Sequence, residues 1–311
     1  LFALAVAFFS ATQDIVVDAY RIDILSVEEQ AAGTVPSVYG YRVGMYIASA
    51  VGLLLSSHFS WNSVYVLFGF CVLIGIAGTL IGAEPEFKIR NKLESTAQFL
   101  RQAIIDPFAD FMTRRNWIIL LLFIIAYKFP GAFLGGGVMS SFYLKMGFDK
   151  ESIAFAVKTF GFGAGILGLV IGGILATKVG IVKALWIDIL LQGFTNLLFI
   201  PIVYNTGNLA LLTVAVSLDA LASSMGTVVL VAFISILCNR QYSATQYALL
   251  SSLAALGRTI LAANSGWIVE DIGWVNFYIL TCASALPALL LIPYVAKYLQ
   301  EKNLDEKAQK G

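Results

Sequence analysis

Eight ionisable side chains sit inside long apolar runs of this sequence: Asp14, Asp18, Arg42, Lys128, Lys158, Asp188, Asp219 and Arg258. Where such runs lie in hydrocarbon, a central charge costs at least about 2.5 kcal/mol, so each must face a watered cavity or an opposite charge. The chemistry on offer is recognition of ions and exchange of protons. Asp14, Asp18 and Arg21 stand at i, i+4 and i+7, on one helical face. Two readings stand for these acids. One of them binds a proton or a cationic group, or they pair with Arg42 on the next run and lock two helices together. Lys128 lies near the middle of its run, in AYKFPGAF, just before Pro130 and Gly131. It attracts a carboxylate or phosphate, or it pairs with an acid on a neighbouring helix. Lys158 lines an entry or extends its amine toward the membrane surface. Asp219, in SLDALASSMG, is a cavity candidate, whereas Asp188, near one end of its run, reads as structural.

Bond-making chemistry has no comparable constellation. The one histidine, His58, lies in the polar patch SSHFSWNS, and the three cysteines, Cys71, Cys238 and Cys282, form no CxxC spacing. No catalytic residue, metal or cofactor is expected, and a membrane-embedded enzyme is disfavoured. Hydrophobic residues make up 59% of the chain and charged ones 13%, against about 25% charged in soluble domains. Mean hydropathy is +0.83. A water-soluble shell cannot be built from this composition, but hydrocarbon can take its place. The net charge of +1 argues against nucleic acid, which calls for basic patches.

The elements that must position these charges are membrane-spanning helices, each of about 20 apolar residues. Nine runs qualify, at about 1–20, 36–57, 62–82, 117–143, 152–177, 182–204, 209–237, 246–268 and 275–296. Alternating the loops between two sides puts fourteen cations on one: Arg21, Lys88, Arg90, Lys92, Arg101, Arg114, Arg115, Lys178, Lys183, Arg240, Lys297, Lys302, Lys307 and Lys310. Only Lys145 and Lys150 fall on the other. The bias assigns the first side to the cytoplasm. A charged loop at 84–116 contains IDPFADF, which reads as a short interfacial helix, and small-residue runs at 135–137 and 161–173 read as helix-packing faces.

A repeat organises the chain. Gln30 precedes Arg42 by twelve residues and Gln246 precedes Arg258 by twelve, and the next runs open with Trp61…Tyr65 and Trp274…Tyr278. The first three spans thus correspond to the last three, which predicts two six-helix halves with three helices, roughly 100 residues, upstream of the start. The expected organisation is 1–83 as the last three helices of a first half, 84–116 as a cytoplasmic inter-half loop, 117–296 as a complete second half and 297–311 as a cytoplasmic tail. The fold class is all-α integral membrane, of major facilitator type, with nine of twelve helices present. The repeat mates Arg42 and Arg258, with Arg21 and Gln246, are candidates for gating or structural charges.

A set of motifs carries a resemblance. SATQDIVVDAYRIDIL, EEQAAG, GYRVGM, YK at 127–128, GFD at 147–149, KTFG at 158–161, LQGFTN at 191–196 and LCNRQYSATQYALLSSLAALGR at 237–258 run collinearly from the first residue to about Leu291. Together they resemble the AmpG family of muropeptide permeases. The resemblance implies a multi-pass permease of the bacterial inner membrane, monomeric, importing GlcNAc-anhydromuropeptides from periplasm to cytoplasm by proton symport. That is peptidoglycan recycling, which feeds β-lactamase induction. Lys128 suits the substrate carboxylates, Asp14 suits proton coupling, and Gln192 and Asn196 of LQGFTN join Asp18, Lys158 and Asp219 as candidates for substrate binding or coupling. Phe129-Pro130-Gly131 departs from the family, whose members often place an acid just after the YK pair. TQDIVVDA also resembles eukaryotic acetyl-CoA transporters, which keeps a second reading open: transport of another anionic metabolite, such as acetyl-CoA or a sugar phosphate.

Overall fold

Hydrocarbon offers no partner to a backbone N–H or C=O, so apolar runs of this length must satisfy their own hydrogen bonds as helices. The computed structural model describes residues 2–85, 98, 101–135 and 137–310 and contains no strand among them. Its helices are α1 (Phe2–Ile24), α2 (Gln30–Ser56), α3 (Trp61–Ile81), α4 (Asp106–Met112), α5 (Trp117–Tyr127), α6 (Phe129–Ala132), α7 (Val138–Lys145), α8 (Lys150–Val179), α9 (Ile181–Tyr204), α10 (Leu209–Leu237), α11 (Ser243–Ala283) and α12 (Leu286–Lys310). The IDPFADF helix is α4, with Pro107 in its first turn, where a missing N–H costs nothing. The loop cations Lys88, Arg90 and Lys92, and Gly136 of the triple glycine, lie outside the described residues.

Among the described residues, seven helical stretches are long and apolar enough to cross a membrane. One of them, Arg240–Lys302, has 63 residues. At about 1.5 Å per residue it would exceed the roughly 30 Å hydrocarbon core about threefold. It is broken at Gly273, whose φ of 75° and ψ of 166° are not helical, a backbone that glycine adopts without steric cost. The stretch from Trp117 is broken as well, at Lys128 and again before Val138. These breaks account for the difference: Arg240–Lys302 holds two of the nine apolar runs, and the run from Trp117 is in pieces too short to count.

Two apolar clusters show how residues 117–299 are threaded. The first gathers Phe123, Tyr127, Leu185, Phe233, Tyr247 and Ile292, and the second gathers Phe142, Phe199, Leu212, Phe277 and Tyr278. The chain passes from the first to the second through α5–α7, returns along α8, and goes out and back again along α9 and α10. α11 leaves the first cluster at Tyr247, reaches the second at Val269 and Phe277, and α12 re-enters the first at Ala288 and Val295. Six crossings therefore span 117–299. The end holding the first cluster carries Arg114, Lys178, Lys183, Arg240 and Lys302 and is called the basic end below. Phe142, Phe199, Trp274 and Tyr278 interlock at the other, with ring centroids 4.8–6.2 Å apart. Residues 297–310, read as a cytoplasmic tail, are helical. They continue α12, and Lys302 Nζ donates to the Ile236 carbonyl at 2.6 Å.

α8 and α10 approach closely because glycine faces the contact. A Cβ on Gly168 would stand 2.2 Å from the Leu221 carbonyl oxygen, and one on Gly172 would stand 2.8 Å from that of Met225. Backbone cannot yield as a side-chain tip can. Gly168→Ala is expected to cost about 1–3 kcal/mol and to lower the melting temperature of the detergent-purified protein by several degrees. Gly163→Ala, with nothing within 4 Å of the added carbon, should leave it unchanged.

Candidate functional site

Between the two apolar clusters lies a polar layer, and the break between α5 and α6 places Lys128 in it. Pro130 cannot supply an N–H to a continuous ladder, and the helix restarts at Phe129. Asn196 steadies the break by donating to the Pro130 carbonyl at 3.0 Å. Gln192, one turn earlier on α9, lies beside Gly131 and donates to Asp188 Oδ2 at 2.5 Å. The Tyr127 hydroxyl donates to the same oxygen at 2.5 Å. Asp188, Gln192 and Asn196 thus share one face of α9, and all three are buried.

Asp188 was expected near one end of its span as a structural charge. The structure places it in this layer instead, against Gly226, which is eleven residues from the basic end of α10. Lys128 is half-buried and within electrostatic reach of Asp188, Arg42 and Arg258. Three cations thus gather at the break, Arg42 from α2, Lys128 itself and Arg258 from α11, and Lys128 is the one within reach of the Asp188 carboxylate. Arg258 is exposed.

The proposed pairing of Asp14 or Asp18 with Arg42 does not occur. Asp18 pairs with Arg21 on its own helix at 3.1 Å, since residues three apart are neighbours on a helical surface. α2 packs against α8 and α10, which carries the Arg42 guanidinium to Gly165 and Ser224. Asp14 is exposed one turn before Asp18, and Lys158 is exposed on α8. Asp219 is half-buried and faces the phenols of Tyr143 and Tyr278, away from the three cations.

Arg21 ties the two parts of the chain together at the basic end. Its side chain is 4% exposed. Nη1 donates to Thr34 Oγ1 at 2.7 Å and to Ser235 Oγ at 3.2 Å, and the guanidinium lies 5.5 Å from the Tyr247 ring centroid. Arg240 donates to the Leu25 carbonyl at 2.5 Å and Ser243 to Asp23 Oδ2 at 3.2 Å. At the far end of α1, Phe2, Phe8 and Phe9 are exposed.

Gln246 anchors the loop helix α4. It donates to the Pro107 carbonyl and to Asp110 Oδ2, at 3.0 and 2.7 Å, while its own carbonyl accepts from Asn239 N–H and Arg114. Its repeat mate Gln30 likewise bonds carbonyls of the preceding segment, those of Ile22 and Leu25. Burial alone would raise the Asp110 carboxyl, but hydrogen bonds from Gln246, Arg114 and Asn239 outweigh it and hold the group below the usual range. A depressed folded value stabilises the protein fully above the unfolded value of about 4. The benefit is lost as pH falls through the folded value. Asp110→Asn is expected to cost roughly 1–3 kcal/mol at neutral pH and to flatten the acid limb of a melting-temperature profile. An unchanged acid limb would count against the anchor.

Sequence reasoning gave Tyr127 no role of its own and read Asp188 as a structural charge without naming its partners. The available signal was the spacing of Asp188, Gln192 and Asn196 at i, i+4 and i+8.

No family model matches the sequence. Among curated proteins, the chain is 37% identical over 306 residues to the "Anhydromuropeptide permease" of Escherichia coli K12, covering 98% of this chain and 61% of that protein. It is 36% identical over 297 residues to the "Putative transporter AmpG 4" of Rickettsia felis, covering 94% and 71%. It is 35% identical over 312 residues to an "Uncharacterized protein" of Haemophilus influenzae, covering 97% and 72%. The chain therefore spans about 61% of the length of the Escherichia coli relative.

Proposed function

Since the chain belongs to the AmpG family of permeases, we propose that the native protein imports GlcNAc-anhydromuropeptides across the bacterial inner membrane, by alternating access and in symport with protons. The observation that supports this reading most is the excess of positive charge in the polar layer, where Arg42, Lys128 and Arg258 outnumber Asp188. A muropeptide carries several carboxylates, and a desolvated cation attracts them far more strongly than the same cation in water. Gln192 and Asn196 supply amides at the same depth that suit sugar and peptide groups, once their present partners are exchanged. Small-residue faces between α8 and α10 support helices that rock as bodies, as alternating access requires.

The test expresses the native full-length protein in a Gram-negative strain lacking its own muropeptide permease and follows labelled GlcNAc-anhydromuropeptide into the cytoplasm. Uptake that an uncoupler abolishes is the expected result. Uptake indifferent to the uncoupler removes the proton. No uptake, with the protein present in the membrane, removes the substrate, and acetyl-CoA and sugar phosphates become the next compounds to assay.

A further inference from the structure

One atom of the polar layer is left unexplained by a binding role alone. Asp188 is 0% exposed, and both donors that reach it, Tyr127 and Gln192, converge on Oδ2. Oδ1 is buried with no hydrogen-bond partner among the described residues. A bare buried carboxylate oxygen is costly, so a structural acid would be expected to use both oxygens. The groups facing it can be named element by element. α5 presents Tyr127, with Lys128 following at the break. α9 itself adds the neutral Gln192. α10 presents only the backbone of Gly226, and α11 brings Cys282 beside Gly193. Arg42 and Arg258 reach Lys128 from α2 and α11.

We propose that Asp188 is the carboxyl that carries the transported proton, and that it alternates with the substrate's anionic group as the counter-ion of Lys128. This rests on the transport reading above and supplies its coupling residue. With the site empty, Asp188 is ionised and balances Lys128. An entering carboxylate takes over that role, and Asp188 accepts one proton from water at Oδ1. Its charge falls from −1 to 0 as the substrate brings −1, so the charge of the layer is conserved. Departure of the anion on the other side leaves Lys128 without a counter-ion, and Asp188 releases its proton there. One proton moves with each anionic group held at Lys128, in the same direction. The other acids lack this arrangement. Asp18 pairs with an Arg21 that is already bound to Thr34 and Ser235, Asp219 faces phenols, and Asp14 is exposed on α1.

The test uses the native full-length protein in proteoliposomes, as wild type, Asp188→Asn and Asp188→Glu. The first measurement needs no substrate: infrared difference spectra recorded as the pH is lowered. A buried-carboxyl C=O band in the wild type, missing from Asp188→Asn and displaced in Asp188→Glu, is expected. The same band persisting in Asp188→Asn overturns the proposal. The second follows labelled muropeptide. Asp188→Asn should lose accumulation driven by a pH gradient, while substrate exchange across the membrane falls far less. Gradient-driven accumulation by Asp188→Asn overturns the proposal. A wild type that takes up no muropeptide removes the substrate reading alone, and the infrared result still decides the carboxyl. Should Asp188→Asn not fold, Lys128→Gln takes its place. Loss of the counter-charge should shift the pH at which the band appears, and an unmoved band overturns the proposal.

Discussion

Lys128→Ala should reduce muropeptide uptake by a factor of about 30 or more, with the protein still folded and in the membrane. Truncating one partner of a desolvated charge pair costs about 2–5 kcal/mol, and each 1.4 kcal/mol is roughly tenfold. The lysine is the cation nearest the centre of the layer, held at a helix break. It is the one of the three cations that faces the Asp188 carboxylate. Its removal leaves Arg42 and Arg258, which approach from the two sides and cannot occupy its place. Fold stability should fall as well, because the buried Asp188 loses its counter-charge, although Asn196 still holds the break through the Pro130 carbonyl. Lys128→Arg tests charge against shape. A planar guanidinium is not a compact ammonium, so the charge returns but only part of the rate should. Initial uptake rates against substrate concentration, normalised to protein in the membrane, make the measurement. Lys158→Ala is the internal comparison, since that amine is exposed on α8 and its loss should cost several-fold less. Equal losses at the two lysines would sink the assignment of Lys128 to substrate.

The charges were legible because hydrocarbon makes them expensive: an isolated Lys128 or Asp219 stands out against apolar neighbours without any knowledge of the fold. The helices were legible for the same reason, and the two glutamines that the repeat pairs, Gln30 and Gln246, each bond backbone of the segment before their helix. Partnership across helices was not legible. Arg42 was weighed against the acids of α1 because α1 precedes it, yet α2 turns its Arg42 face to α8 and α10. Which helices pack together is a tertiary fact with no signature in apolar runs that look alike. The partners of Asp188 were not legible either. Counting from the nearest loop put it close to a face, whereas the partners that give it meaning, Tyr127 and Lys128, come from a break 60 residues earlier, and their level is visible only once the helices are aligned. Residues 297–311 read as a cytoplasmic tail, and the contacts of Arg115 with Glu301 at 3.3 Å and of Lys302 with α10 had no signature in the sequence, because they depend on where α12 ends.

Arg21→Ala should open the basic end. The guanidinium joins α1, α2, α10 and α11 through Asp18, Thr34, Ser235 and Tyr247, so one side chain bridges the first three helices and the last six. Removing one member of a buried ion pair costs about 3–5 kcal/mol, because the remaining charge stays desolvated. Asp18 is partly exposed, so it recovers some hydration and the low end of that range applies. Even so, the equilibrium between closed and open should shift about tenfold or more toward open. Cys238 reports on it without added probes. It is a free thiol, 6% exposed, at the end of α10 where these contacts converge. Its labelling by a membrane-permeant maleimide, followed by mass spectrometry of its own peptide, should quicken by about that factor in Arg21→Ala, while the exposed Cys71 labels at an unchanged rate. Arg21→Lys should fall between, since a single ammonium cannot hold Asp18 and reach both Thr34 and Ser235 in the planar geometry of the guanidinium. A permease needs its closed and open states close in free energy, because a ligand shifts a population only by its differential affinity for the two. Transport by Arg21→Ala should therefore slow as well, although the residue lies away from Lys128. Unchanged Cys238 labelling with slowed transport would make Arg21 a substrate contact rather than a lock. Faster labelling with transport intact would show that Arg240–Leu25 and Ser243–Asp23 suffice to close that end.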